Sequence, residues 1–281
     1  MPKRIDHWRD KTVIVTGASA GVGLACAQAF ARLGANLVLV ARSPKPLKAA
    51  EDKLATLTSV QSVAMDVADE IECTNLLRKT EYDFGHVHGL INNAGLHQRG
   101  PVESIESTDL GRMIDVNLRA PIVLTRLALP YIRNAGEGAI VNVASLAGCT
   151  PVQDAAAYSA SKFGLRAFSM ALADEIRDSG INIGLVSPGP IDTGFIMDQI
   201  DEVADITFSQ PMSTAAEVAE AVIKVASGQA FEIKMPAVSG VLTTLSYLFP
   251  SLRRALKPLF DARGRRQKNI YRQRARDSQP D

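Results

Sequence analysis

In YSASK, residues 158–162, Tyr158 and Lys162 stand four residues apart within a run of alanine and serine. On a helix that interval puts both side chains on one face, one turn apart. An ammonium held there favours tyrosinate over tyrosine. It makes a phenol that normally titrates near ~10 usable as a proton donor and acceptor. The same five residues also suit a surface helix with one aromatic and one solvated lysine, so the rest of the chain has to decide.

A second stretch, TGASAGVG (16–23), follows the β-branched run TVIVT and leads into a helical pattern. Gly17, Gly21 and Gly23 permit a tight turn and close backbone approach, and a helix starting near Val22 offers N–H groups to a phosphate. Placed strand–loop–helix, this is a dinucleotide-binding pattern. The next strand ends at Ala41 and Arg42, where folds that prefer NAD usually place an acid for the ribose hydroxyls. Arg42 can instead bind a 2′-phosphate through charge-assisted hydrogen bonds, with the Ser19 hydroxyl beside it, which points to NADP(H).

The elements that would carry these groups alternate regularly. Residues 12–16, 36–41, 59–65, 87–92, 139–144, 182–187 and 231–235 read as strands, several almost wholly apolar, as in a parallel sheet covered on both faces. Helical stretches lie between them, such as 22–33 closed by Gly34, and one opening at Thr214 with Glu217 in capping-box spacing. The alternation predicts an α/β fold: a single Rossmann-type doubly wound domain with about seven parallel strands and helices on both faces. Residues 1–235 form this domain, with a substrate lid at about 190–213. Residues 236–281 form a C-terminal extension, apolar and then strongly basic.

TGASAGVG, NNAG (92–95), NVAS ending at Ser145, YSASK and PGPIDT (188–193) together resemble the ordered motif series of the classical short-chain dehydrogenase/reductase family, over roughly residues 10–235. The resemblance implies a role for each matching position. Tyr158 is the general acid or base. Lys162 lowers its pKa and hydrogen-bonds the nicotinamide ribose. Ser145 orients and polarises the substrate carbonyl, and Asn117 kinks its helix and positions a water in the proton relay. Ser145 and Tyr158 then make up the substrate-binding pair. Further cofactor contacts implied in this way are Val22, Asp66 with Val67 at the adenine ring, Asn92, Asn93, Ala94 and Gly95 along the cleft, and Pro188, Gly189, Ile191 and Thr193 over the nicotinamide. The implied activity is reduction of a ketone by NADPH, or oxidation of a secondary alcohol. Two other readings remain: a catalytically silent NADP(H)-binding regulatory or scaffold protein, and an epimerase or dehydratase on the same fold. Family members assemble as homodimers or homotetramers through the long helices before and within YSASK.

Composition narrows the setting. The 281 residues are 46% hydrophobic and 22% charged, ordinary for a globular protein. Cys26, Cys73 and Cys149 are scattered, which fits reduced thiols inside a cell, and Cys26 lies on the apolar side of its helix. His86, His88 and His97 flank NNAG and read as solvated loop positions, although His97 can approach the substrate mouth. No His, Cys or Asp cluster has metal spacing, and the resemblance implies no metal. The N-terminus lacks the apolar core of a signal peptide, so the expected location is cytoplasmic, with peripheral membrane association as an addition.

The lid supplies Phe195, Ile196, Met197, Ile200, Ile206, Phe208 and Met212, which suggests a lipophilic carbonyl or alcohol substrate. The net charge of +1 hides an asymmetry: from Ser251 onward ten Lys or Arg face three acids. Before them, residues 235–252 are uncharged and fit a buried or interfacial helix better than a span. The tail admits three readings: monotopic attachment to an anionic membrane, a disordered solubilising tail, and, without motif or aromatic platform to support it, nucleic-acid contact.

Overall fold

A computed structural model of the protein describes residues 5, 7–198 and 200–277. Seven parallel strands form one sheet in the order β3-β2-β1-β4-β5-β6-β7. They are β1 (Thr12–Thr16), β2 (Asn36–Ala41), β3 (Val60–Ala64), β4 (Gly89–Asn92), β5 (Gly138–Val143), β6 (Ile181–Pro188) and β7 (Glu232–Met235). Each lies where an apolar run was expected, within two residues at either end. Helices α1 (Gly21–Arg32), α2 (Pro44–Leu54), α3 (Glu70–Phe84), α4 (Ser107–Ile114), α5 (Ala120–Asn134) and α6 (Ala156–Glu175) fill the crossovers. The short α7 (Gly194–Met197) and α8 (Ala215–Ala226) lie between β6 and β7, and α9 (Ala237–Leu248) and α10 (Pro250–Asp277) follow β7.

Side chains alternate between two cores. Val13, Val15, Leu37 and Leu39 pack with Phe30 of α1 and Val222 of α8, whereas Ile14, Val38 and Val40 pack with Leu77 of α3 and Leu124 of α5. Burial on both faces is why these strands read as continuous apolar runs rather than alternating ones. Each fully buried large side chain contributes about 1.5–3 kcal/mol. Local signals operate as expected: Gly34 takes φ +78° past the end of α1, and Thr214 and Glu217 form a reciprocal capping box on α8. Cys26 is fully buried, and burial pushes its thiol up to about 12.

The winding reverses between β1 and β4, so a crevice opens at the carboxyl ends of those strands. The four stretches TGASAGVG, NNAG, NVAS and PGPIDT all leave the C-terminal ends of β1, β4, β5 and β6. The topology itself therefore gathers them at one edge.

The segment expected to be a lid, residues 190–213, is a closed excursion. Asp192 N–H donates to Ser213 O and Ser213 N–H to Pro190 O, both at 2.9 Å, so its two ends are fastened together. Its apolar residues turn mainly on one another: Ile196, Val203 and Phe208 form a small core with Met197, Ile200 and Met212, joined by Tyr271 of α10. The basic run is therefore not a disordered tail as far as Asp277. It is helical and lies across the 3₁₀ turn Asp205–Ser209. Lys268, 5% exposed, donates to Asp201 O at 3.2 Å and Val203 O at 2.6 Å, while Arg265 pairs with Asp205 at 3.2 Å and Arg272 with Asp201 at 2.5 Å. The reason lies in the lid, whose acids answer these cations.

Gly264 is the point of closest approach: a Cβ there would sit 1.8 Å from Asp205 O. In a free helix, Gly264→Ala would stabilise by about 1 kcal/mol. Pressed on the lid, it is expected to lower the thermal midpoint and speed proteolysis within residues 192–212. A raised midpoint would show that α10 does not rest there.

Candidate active site

The site is assembled from the strand ends outward. Thr16, the last residue of β1, donates its hydroxyl to Ile91 O at 3.2 Å and accepts from the N–H groups of Asn93 (2.9 Å) and Ala94 (3.0 Å). Asn93 Nδ2 returns to Thr16 O at 2.9 Å. The glycine loop is thus sewn to NNAG. A Cβ on Gly17 would meet Asn93 Nδ2 at 2.8 Å, and one on Gly23 would meet Gly17 O at 2.1 Å, so only glycine fits. Gly21 takes φ +54°, and a Cβ there would lie 3.7 Å from Thr193 Cγ2, so PGPIDT meets the loop from the other side. Gly189 N–H is tied to Met235 O at 2.7 Å, and Ile191 bridges to Ser213.

Ser145 follows β5 and caps the 3₁₀ turn Leu146–Gly148, accepting from Ala147 N–H at 3.1 Å. That turn packs on α6 so closely that a Cβ on Gly148 would be 2.6 Å from Lys162 O. Tyr158 and Lys162 occupy the first turns of α6, and Ser145 and Tyr158 share a side-chain hydrogen bond. Lys162 is buried, donates to Val143 O at 3.0 Å, and lies 5.8 Å from the Tyr158 ring centre. Asn117 stands in a π-helical segment, Asp115–Arg119, between α4 and α5. Such bulges interrupt regular helices and are frequent at functional sites. Its amide closes a two-way pair with Leu96, Nδ2 to O and N–H to Oδ1, each 2.8 Å, and reaches Ser161 Oγ at 3.4 Å. The fold thus brings Asn117, Ser145, Tyr158 and Lys162 into one cluster beside Gly95, whose added Cβ would be 3.3 Å from Asn117 Oδ1 and 3.8 Å from Lys162 Nζ.

Electrostatics in the cluster follow from enclosure. Burial brings Lys162 from its ordinary 10.5 down to about 8. Burial pushes Tyr158 up, opposed by the hydrogen bond with Ser145 and the positive charge of Arg99. Arg99 is a contribution that sequence reasoning missed, because nothing in its neighbourhood marks it as part of a motif. Its Nη1 donates to His97 Nδ1 at 2.5 Å and its Nη2 to Phe195 O at 2.9 Å. His97 stacks on Tyr158, ring centres 4.0 Å apart and planes 13° apart. Burial, then the charges of Arg99 and Lys162, hold His97 down at about 3, so the imidazole is neutral. Since Arg99 can only donate, the ring proton lies on Nε2, which has no partner. His97 is therefore part of the cluster rather than a solvated loop residue. His88 is not solvated either: half-buried, it accepts from Thr12 N–H at 3.1 Å.

Beyond the end of β3, Asp66 accepts from Ala68 N–H at 3.0 Å and pairs with Arg112, another residue the sequence did not reveal. Desolvation works to raise Asp66, but the Ala68 N–H and the charges of Arg112 and Arg42 outweigh it and hold the carboxyl below its usual range. Arg42 is exposed at the end of β2, Ser19 is half-buried in the loop, and Val67 is buried in the apolar core beside Asp66. Asn92 lies deeper, donating to Asn142 Oδ1 at 2.8 Å and Thr125 Oγ1 at 3.2 Å. The arrangement fits a dinucleotide. The start of α1 has no side-chain cap and no acid in its first turn, whereas α3 is capped by Asp69 and α8 by its capping box. N–H groups left without side-chain partners at a glycine turn suit a pyrophosphate.

With this geometry in view, comparison with known proteins is direct. Residues 11–204 match the family model for short chain dehydrogenase, and the chain belongs to that family. A ketoacyl reductase, HetN, from Nostoc sp. is 34% identical over 234 residues, covering 79% of this chain and 77% of the relative. Dehydrogenase/reductase SDR family member 7B from Bos taurus is 30% identical over 254 residues, covering 85% and 78%. Among solved structures, a metagenomic short-chain oxidoreductase in complex with NADP is 31% identical with a TM-score of 0.69, covering 81% of this chain and 97% of that one. Levodione reductase is 25% identical with a TM-score of 0.76, covering 84% and 99%.

The buried ammonium has a consequence for stability. Between about 8 and 10.5 the unfolded chain binds the Lys162 proton and the folded chain does not, so stability rises with pH across that window. Relative to Lys162→Met, the wild-type unfolding free energy should therefore increase from pH 8 towards pH 10.5, as read by urea unfolding at several pH values. A difference independent of pH would contradict a depressed Lys162.

Proposed function

We propose that the protein is an NADPH-dependent reductase of ketones, formally reversible as a secondary-alcohol dehydrogenase, acting on a lipophilic, acyl-type substrate. The carrying observation is the Tyr158 phenol, hydrogen-bonded with Ser145 and one helical turn from the buried Lys162. When bound, NADPH supplies the hydride. Tyr158 gives its proton to the carbonyl oxygen, and Ser145 holds that oxygen and stabilises its developing charge. Lys162 binds the ribose and lowers the cost of forming tyrosinate. Asn117 keeps the loop at Leu96 and the start of α6 in register, and so supports the proton path to Lys162. His97, neutral and stacked on the phenol, positions Tyr158 and is not the acid.

The glycine loop and the uncapped α1 would hold the pyrophosphate, Asp66 and Val67 the adenine, and Thr193 the carboxamide. Arg42 with Ser19 would hold the 2′-phosphate. The NADP-bound structural neighbour supports that choice of cofactor. For the substrate, the ketoacyl reductase relative supports a ketone on an acyl group, and the reductase neighbour supports the direction of reduction. The site agrees: Nε2 of His97 and Nε of Arg99 are buried donors without partners, suited to the second oxygen of a 3-oxoacyl group. Phe195, 45% exposed at the lid, offers an apolar contact beside them. The family's dimeric or tetrameric assembly through α5 and α6 is part of this reading.

Tyr158→Phe should lower kcat by roughly 10²–10⁴-fold while NADPH binding, read by fluorescence titration, stays within a few-fold. Near-normal turnover of a 3-oxoacyl thioester would sink the mechanism. Arg42→Asp should weaken NADPH far more than NADH; equal losses for the two would remove the 2′-phosphate assignment.

A further inference from the structure

Helix α9 carries large apolar side chains that the fold leaves uncovered. Val238, Val241, Leu245 and Leu248 recur at helical spacing along one stripe and are exposed, Val238 at 73% and Leu248 at 61%. The stripe continues around the turn with Phe249 and into α10 with Leu259, 66% exposed. Single exposed apolar residues need no explanation, but a contiguous patch marks an interaction surface. Residues 235–260 contain no acid and three cations, Arg253, Arg254 and Lys257. Arg253 donates to Pro151 O at 3.0 Å and Lys257 pairs with Asp261 at 2.5 Å, while Arg254 is exposed on the elbow itself. No helix among the described residues is long and apolar enough to cross a membrane.

We infer that the elbow between α9 and α10 docks in the plane of an anionic lipid surface, its apolar stripe entering the boundary between headgroups and acyl chains and its exposed Arg254 meeting lipid phosphates. Charge decides the occupant. A second copy meeting this face across a two-fold axis would set the exposed Arg254 against its own counterpart, on a stretch, 235–260, that offers no acid to answer it. An anionic bilayer answers both the apolar stripe and the positive charge. The basic residues further along α10 that hold the lid, Lys268 and Arg272, are not the anchor, so the attachment belongs to the elbow and not to the terminal basic run. Because α10 begins at the elbow and ends on the lid, one helix joins the lipid surface to the cover of the site. The inference concerns binding and stands whether or not the protein reduces ketones.

The test is co-sedimentation of the full chain with vesicles of phosphatidylcholine alone and of phosphatidylcholine mixed with an equal amount of phosphatidylglycerol. Binding is expected to the anionic vesicles, weakened by salt. The double variant Val238→Asp/Leu248→Asp should bind at least about tenfold more weakly. Arg254→Glu serves as a milder second variant, expected to bind less at low salt, and unchanged thermal midpoints establish that both remain folded. Failure of the wild type to bind anionic vesicles would overturn the inference, as would binding that neither variant weakens. A dimer dissolved by the double variant, without vesicle binding, would assign the surface to a second copy.

Discussion

The exits of β1 and β4 are held together by the Thr16 hydroxyl, and the site depends on that clasp. With one oxygen it bonds Ile91 O and the N–H groups of Asn93 and Ala94, so the glycine loop and NNAG cannot shift separately. From there a buried polar line continues: Asn92 to Asn142 at 2.8 Å, Asn142 to Ser169 Oγ at 2.8 Å, and Ser169 to Leu165 O at 2.7 Å. It starts at the cofactor cleft, crosses β4 and β5, and ends on α6, the helix that bears Tyr158 and Lys162. A buried polar group left unmatched costs about 1–3 kcal/mol, so the line admits few alternative registers. An apolar core alone would tolerate small slides of α6 on the sheet; this one does not.

That rigidity matters because the groups around Tyr158 are in electrostatic tension. Burial drives both Tyr158 and Lys162 towards their neutral forms, whereas the charge of Arg99 and the Ser145 hydrogen bond favour tyrosinate. The phenol therefore rests protonated, beside two groups that would stabilise its anion. His97 adds a neutral aromatic face and no competing charge, since burial, and then the two cations nearby, keep its imidazole neutral. In the proposed reaction the acid chemistry falls on the phenol oxygen, beside the Ser145 hydroxyl that shares its hydrogen bond.

How much of this is legible in sequence depends on the range of each interaction. The seven strands are readable because burial on both faces demands β-branched and apolar runs, and Gly34 and the Thr214–Glu217 box are readable because capping acts over three or four residues. The glycine loop, NNAG, Ser145, YSASK and PGPIDT are readable because each stretch is short and their order follows the strand ends. Arg99 on His97 and Tyr158, Arg112 on Asp66, and the cations of α10 on the lid are not. Apart from Arg99 and His97, two residues apart in a stretch with no motif, they are single charges meeting across dozens of residues, with no period to betray them. The lid shows the same limit in another form: its apolar residues announce burial, yet they bury mostly against each other and Tyr271, which no composition reveals.

The charge asymmetry between body and tail then has a local cause. Residues 192–212 hold five acids, Asp192, Asp198, Asp201, Glu202 and Asp205, and no Lys or Arg. The tail supplies the opposite sign, but the contacts are unequal. Arg265 is largely exposed and Asp201, the partner of Arg272, is 80% exposed. Exposed pairs of this kind contribute about 0–1 kcal/mol each and weaken with salt. Lys268 is different: buried, with two backbone carbonyls as acceptors, it sits 5.9 Å from the Phe208 ring, which in turn lies 5.9 Å from Tyr271. The exposed pairs therefore set the register of α10 on the lid, and the buried lysine with its aromatic neighbours supplies most of the hold.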